Sequence, residues 1–313
     1  MSQILNHQNH LLTLIQEIRI FLCLNYFKSL YLLAGLVFSS ITFAKSPFPA
    51  RGFAKVLNDQ EAEIRLNSYR SFVVRDLNRT DFHQGYAFRF RLRHMPRRGE
   101  EFSRTGTIYG LALGHGISRI DIDSQSDASE CVNYLLKSGQ EPKAWIYLFD
   151  QKKSVPLSDK QLFDPIVSGM NQSPFDLLLS FIFWEFKYLK SGKVAGRPSH
   201  IYSFSPPGWV ENARSDIANI TLALDDNYQA PLRVETFTKK GASCRTYILN
   251  SLKKIDGQWV VKSLDCKDRT NRSTTRFEVT AVALNLDLGS RVFSPLGLSD
   301  KPVIADDVFI STK

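Results

Sequence analysis

The sequence has little from which a metal, redox or hydrolytic centre is built. Its 313 residues hold four cysteines and six histidines. No Cys-x-x-Cys pair or Cys/His cluster appears, and the histidines His83, His94, His115 and His200 are scattered with no His-Glu-x-x-His. A Gly-x-Ser-x-Gly elbow and a phosphate-binding Gly-rich loop are also missing. The acidic run Asp121, Asp123, Asp127, Glu130 lacks the central glycine and the spacing of a calcium loop, and reads as solvated. There is no internal repeat and no low-complexity segment. No catalytic residue, cofactor or metal is expected, and the sequence predicts a binding protein in place of an enzyme.

Residues 29–44 are almost free of polar side chains, follow Lys28 and end in Thr42-Phe43-Ala44, with small residues at the last and third-last positions. A basic flank, an apolar core and a small-residue exit form a secretory signal. The core is shorter than the roughly 20 residues of a comfortable membrane span. The stretch before it holds a second apolar run, residues 11–27, broken by Gln16, Glu17 and Arg19, so residues 1–44 read as a signal peptide with an upstream extension, or as an uncleaved inner-membrane anchor. Cys23 follows Phe21-Leu22, which is no lipobox. The predicted location is the periplasm.

Beyond the leader, residues 45–288 read as one β domain and residues 289–313, rich in Pro, Gly and Ser, as an irregular tail lying loosely on the surface. The formal charge of the chain is +9. The leader carries Glu17, Arg19 and Lys28, a net +1, which leaves +8 for the rest. Such an excess favours anionic partners, phospholipid headgroups or acidic proteins. Export argues against nucleic acid, and the basic residues are not gathered into aromatic-rich RNA-binding motifs. Three cysteines follow the leader. Cys244 and Cys266 flank a predicted hairpin turning at Asp256-Gly257; if Ile255 pairs with Gln258, Cys266 faces Tyr247. A Cys244–Cys266 disulfide then needs a bulge or another register.

The strand signal is period two. Tyr86, Phe88, Phe90 and Leu92 alternate with Ala87, Arg89, Arg91 and Arg93. The arginine face, with Arg97 and Arg98, reads as solvated and suited to lipid headgroups or an acidic partner. Residues 105–113 and 117–122 form a hairpin about Gly114-His115-Gly116. Residues 144–149, including Trp145 and Tyr147, are apolar on both faces. In the C-terminal half, residues 200–204, 217–224, 232–237, 244–252, 259–264 and 276–284 follow at short spacing. No helix-length periodic segment separates them, which argues for an antiparallel meander over a parallel sheet.

Helices are few. Residues 49–69 read as one, with Phe53, Val56, Leu57 and Ile64 on its apolar side. Residues 173–188 read as another: Ser173 and Asp176 form a capping box and Pro174 suits the first turn. From Phe175 to Phe186 only Asp176, Ser180 and Glu185 are polar. A helix apolar around most of its circumference must be enclosed on several sides. Beside a bent antiparallel sheet it would plug or cap an apolar interior. The candidate ligand-lining residues are Tyr86, Phe88, Phe90 and Leu92 of the first strand, Trp145 and Tyr147, and Phe175, Leu178, Leu179, Phe181, Ile182 and Trp184 of the helix.

The segment 170–198, with Ser173-Pro174-Phe175-Asp176 and Val194-Ala195-Gly196-Arg197-Pro198, resembles the LolA-like outer-membrane lipoprotein-sorting proteins. So do Thr107-Ile108-Tyr109-Gly110 and Gly257-Gln258-Trp259-Val260-Val261-Lys262. The likeness runs from about residue 52 to residue 284 and points to a larger, divergent branch, with an extra acidic loop at 121–130. It implies a mainly β fold with a few helices: a half-open antiparallel β-barrel (LolA/LolB-like) with a helical plug or lid. It further implies a monomeric carrier of lipoprotein or lipid acyl chains, serving an inner-membrane donor and an outer-membrane acceptor. A non-enzymatic envelope scaffold on the same fold is the alternative. No gating arginine is carried over from the family.

Overall fold

The computed structural model describes residues 54–124 and 131–313. The predicted leader, Phe53, Asp127 and Glu130 lie outside the described residues. Among the described residues no helix is long and apolar enough to cross a membrane.

Helix α1 spans Asp59–Val73. It starts at a capping box: the Glu61 amide donates to Asn58 Oδ1 over 2.8 Å, and the Asn58 amide donates to Glu61 Oε2 over 3.1 Å. Its buried face is Ala62, Leu66, Tyr69 and Val73, a spacing of three and four that lines one side of a helix. The helix predicted over 49–69 therefore begins and ends too early. Its supposed apolar side is also misassigned: Val56 is 66 % exposed and Ile64 63 % exposed.

The strands are β1 (Gly85–Met95), β2 (Phe102–Leu111), β3 (Ile117–Ile122), β4 (Val132–Lys137), β5 (Lys143–Leu148), β6 (Lys153–Pro156), β7 (Glu185–Val194), β8 (Arg197–Ser205), β9 (Ile217–Asp225), β10 (Pro231–Thr238), β11 (Ser243–Ile255), β12 (Gln258–Asp268), β13 (Ser273–Leu286) and β14 (Ile310–Ser311). The sheet order is β6-β5-β4-β3-β2-β1-β13-β12-β11-β10-β9-β8-β7, with β14 added to β13. Two meanders, β1–β6 and β7–β13, are thus joined through the β1–β13 pair, and every pairing is antiparallel. Strands β6 and β7 are edges that do not pair with each other, so the barrel stays half open, as predicted. Asp256 and Gly257 close the β11–β12 hairpin at φ 47° and 79°, the left-handed pair a tight two-residue turn requires. Ile255 pairs with Gln258 and Tyr247 with Cys266, the register read from the sequence. Cys244 is free, its thiol donating to the Thr236 carbonyl, and Cys266 is free and buried. No disulfide joins them, because the ladder leaves them three positions out of step.

Alternation sorts the side chains onto two faces. The inner face gathers Phe90 and Leu92 of β1, Ile120 of β3, Tyr134 of β4, Tyr202 and Phe204 of β8 and Leu222 of β9 into the main core, where α1 also packs. Gly106 stands opposite Phe90; a methyl group there would fall 2.6 Å from the Phe90 ring, so the ring needs a glycine across the ladder.

The outer face of β1, β2 and β13 is covered by the tail. Ala87, Tyr109 and Ala283 pack with Leu288 and Phe293, and Leu298 is fully buried. The tail runs as three short 3-10 turns, Ser290–Phe293, Pro295–Ser299 and Asp306–Val308, before β14. Beneath it Arg119 and Asp121, both on β3, make a two-pronged ion pair of 2.7 and 2.9 Å, and Arg119 donates also to the Gly297 carbonyl over 2.8 Å. Asp121 is therefore a buried strand residue and not part of a solvated loop. The arginine face of β1 is also paired: Arg91 meets Glu278 at 2.8 Å, and Arg89 meets Asp306.

Candidate ligand-binding site

The topology forces the central feature. Strands β6 and β7 follow one another in the chain but sit at opposite edges of the sheet, so residues 157–184 must cross from edge to edge. The crossing runs over the inner face, and its side chains Leu162, Phe163, Ile166, Met170 and Phe175 join the main core. This plug and α1 together cover the inner face.

The plug is not the single helix predicted over 173–188. Its start is as read: the Ser173 amide and hydroxyl donate to Asp176 Oδ2 over 2.9 and 2.6 Å, and the Asp176 amide returns to Ser173 Oγ. Helix α2 then lasts only Pro174–Leu178. Leu179 turns to φ 53°, a left-handed conformation that ends a helix, and a 3-10 turn follows over Ser180–Phe183. Phe186 and Tyr188 belong to β7. The break lets apolar residues on several sides of the segment each find a packed environment. Phe175 stacks near Phe163 at 4.5 Å and Trp184 at 5.7 Å between ring centres, and Phe181 meets Phe204 edge-on at 5.5 Å.

Polar contacts fasten the plug along its length, from the Tyr134 hydroxyl, which donates to the Ile166 carbonyl over 3.3 Å, to its end. Around the start of its helix, Arg245 of β11 pairs with Asp176 at 2.9 Å, and the Asn171 amide donates to Thr275 Oγ1 over 3.0 Å. Asn171 Nδ2 also donates to the Cys266 carbonyl over 3.1 Å, and Ser273 Oγ to Asn171 Oδ1 over 2.9 Å. In its middle, the Ser138 hydroxyl donates to the Leu178 carbonyl. At its end, Arg70 of α1 donates to the carbonyls of Ile182 and Trp184 over 2.6 and 3.1 Å. The Asp176 charge holds the Arg245 guanidinium well above its ordinary range, and burial pushes the Tyr247 hydroxyl beside it up.

Of the residues singled out in the sequence, Phe90, Leu92, Phe175, Leu178, Phe181, Ile182 and Trp184 come together in the main core, with Leu179 packed against it. Phe88 lies in an adjoining cluster with Val279 and Val282, beside a bulge on β13 between the partners of Arg89 and Phe90. Tyr86 is buried at the far end of the strand, its hydroxyl donating to the Gly114 carbonyl over 3.0 Å. Trp145 and Tyr147 do not line the interior. Tyr147 pairs with Asn133, itself paired with Asp121, which puts both aromatic residues of β5 on the outer face; their neighbours Ala144 and Ile146 face inward. Sequence reasoning missed Tyr202 and Phe204 of β8, although their two-residue spacing carried the signal, and Leu66 and Tyr69 of α1.

The half-open antiparallel sheet with few helices is LolA-like in fold. A candidate outer membrane lipoprotein-sorting protein domain from Vibrio parahaemolyticus superposes with a TM-score of 0.62 at 18 % identity, covering 76 % of this chain and 99 % of that one. A DUF1329 family protein from Desulfovibrio piger gives 0.58 at 17 % identity over 75 % and 99 %. A LolA superfamily protein from Nitrosomonas europaea gives 0.53 at 14 % identity over 74 % and 97 %. The resemblance read in the sequence is thus borne out in the fold. The model of a family whose description reads "-like: Uncharacterized protein" matches residues 132–300, more than half of the chain, and the chain belongs to that family. No curated protein matches the sequence.

Proposed function

We propose that the chain is a periplasmic carrier that takes acyl chains of lipoproteins or other lipids into the half-barrel in exchange for its plug, and moves them toward the outer membrane. One observation carries this reading. The element that covers the apolar inner face beside α1, residues 157–184, stands outside the sheet ladder and is held by an ion pair and hydrogen bonds from the strands, from Ser138 and from Arg70 of α1. It can leave without breaking a strand pair. The lipoprotein-sorting description of the Vibrio domain supports the same reading.

The exchange also answers a problem of magnitude. Each buried acyl CH₂ contributes about 0.8 kcal/mol, so one long chain fully enclosed approaches ~12 kcal/mol and would be released very slowly. When cargo displaces a plug that itself buries Phe175, Phe181 and Trp184, only the difference remains as affinity, and return of the plug drives release. A labelled lipid should therefore bind more tightly to Phe181→Ala and Trp184→Ala than to the parent chain. Unchanged affinity and release rate in folded variants would sink the exchange. An inner-membrane donor and an outer-membrane acceptor are the partners such a carrier needs.

The filled interior also favours a second reading, a non-enzymatic envelope scaffold whose outer surface does the work. Mass spectrometry of organic extracts from natively purified protein separates the two. Lipid at near-stoichiometric amount supports the carrier, and its repeated absence supports the scaffold.

A further inference from the structure

Two arginines of the β1–β2 loop take no part in holding the half-barrel together. Arg91 and Arg89 of β1 each face an acid. Among the described residues Arg97 and Arg98, just beyond the strand, have neither a hydrogen-bond nor a carboxylate partner, and they line a cavity of about 570 Å³. Pro96 fixes the backbone before them, and Gly99 at φ 98° turns the loop after them. The facing walls come from the plug, at Gly169 and Asn171, from the β12–β13 turn, at Asn271, and from the start of β13, at Ser273.

The charge in this cavity is one-sided. Arg245 is a third guanidinium on its wall, and Asp268 is its one acid. That carboxylate is already engaged: its Oδ1 accepts from the amides of Thr270 and Asn271 over 2.8 and 2.9 Å, and its Oδ2 lies 3.9 Å from Arg245. Arg245 in turn is committed to Asp176. What stays without a protein partner is the neighbouring, solvent-exposed pair Arg97 and Arg98. Planar guanidinium forks match the oxygens of phosphate, and a concave wall of one sign concentrates such anions. The space suits a small-molecule group larger than a single ion.

We infer that this cavity binds a phosphate-bearing anion, gripped by Arg97 and Arg98, whether the headgroup of an acidic phospholipid or a small soluble phosphate. The inference stands apart from acyl-chain carriage, because a phosphate without an acyl chain tests it. Titration calorimetry on the parent chain uses inorganic phosphate and, below its micelle concentration, dihexanoyl phosphatidylglycerol. The variants are Arg97→Ala/Arg98→Ala and a charge-matched Lys137→Ala/Lys143→Ala pair on β4 and β5, at the opposite end of the sheet.

At least one probe is expected to bind one to one. The arginine variant should weaken it by about tenfold or more, while the lysine variant shifts it by less than about twofold. Phosphate binding as tight as the lipid's identifies a soluble anion, and lipid binding about tenfold tighter identifies a headgroup. Absence of binding by both probes overturns the site, as does equal weakening in the two variants. Lipid binding that depends on Phe181 and Trp184 but not on Arg97 and Arg98 overturns the site and leaves acyl-chain carriage standing.

Discussion

The Arg245 guanidinium of β11 lies 2.9 Å from Asp176 Oδ2, so the carboxylate that caps the plug's helix is also its anchor to the sheet. Asp176 retains only 7 % of its side-chain exposure. Removing the arginine strands a buried charge, which costs about 3–5 kcal/mol when both partners are fully enclosed. Arg245 keeps some water contact, so Arg245→Ala should cost somewhat less, about 2–3 kcal/mol, in urea denaturation. Hydrogen exchange should rise first in residues 171–184, before the β1–β13 ladder opens. Equal loosening of the whole sheet would mean that the pair is an ordinary fold contact and not a plug tether.

A second pair predicts an acid limb. Arg276 of β13 grips Asp265 of β12 in two-pronged fashion at 2.7 and 2.9 Å. Burial alone raises the Asp265 carboxyl, but hydrogen bonds from Arg276 and Asn250 and the Arg276 charge outweigh it, and the group is held below its ordinary value of 3.8. The folded chain therefore keeps this carboxylate ionised at a pH where the unfolded chain protonates it. Its contribution is present above about pH 4 and fades as the pH falls. Arg276→Gln should flatten the loss of stability between about pH 4 and pH 2, measured by urea midpoints along a pH series. A variant with an unchanged acid slope would count against the pair.

What the sequence disclosed and what it hid follow from how far each signal reaches. The β1 alternation, the Asp256-Gly257 turn with its register, and the Ser173–Asp176 capping box are local patterns, and all three stand in the structure. The break at Leu179 was hidden because no glycine or proline marks it; an apolar crossing sets it, with packing on several sides. The faces of Trp145 and Tyr147 were hidden for a different reason. Strand β5 is apolar on both sides, and a one-residue change of register reverses every side chain in it. The edge-to-edge crossing from β6 to β7 is a property of the whole sheet, and no local stretch announces it.

The buried pair of β3 makes a sharper stability test. Arg119 is 0 % exposed and Asp121 5 % exposed at their side chains, and the tail seals them through the Gly297 carbonyl. Arg119→Met should cost about 3–5 kcal/mol, since it leaves the buried Asp121 carboxyl without its partner. Burial already raises the Asp121 carboxyl against the pull of Arg119, so without Arg119 it should take up a proton. Arg119→Met/Asp121→Leu should recover at least half of that loss, because an apolar pair of similar volume has no desolvation penalty to offset. A double variant no more stable than the single one would show that the pair specifies the docking of the tail beyond its own electrostatics.

Cysteine chemistry supplies the last test. An oxidising compartment permits a disulfide, yet the ladder sets Cys266 opposite Tyr247 and leaves Cys244 three positions away. Burial pushes both thiols up, Cys266 further than Cys244, with the Asp176 charge adding to the effect at Cys266. A thiol held neutral and out of water is a poor nucleophile. Iodoacetamide should therefore modify the half-buried Cys131 and Cys244 in the folded protein, while Cys266 reacts only as the chain unfolds. A reducing agent should leave the melting temperature unchanged, and Cys244→Ser should cost less than about 1 kcal/mol. A Cys244–Cys266 peptide in a non-reducing digest of protein purified under oxidising conditions would contradict the register itself, and with it the placement of every side chain on β11 and β12.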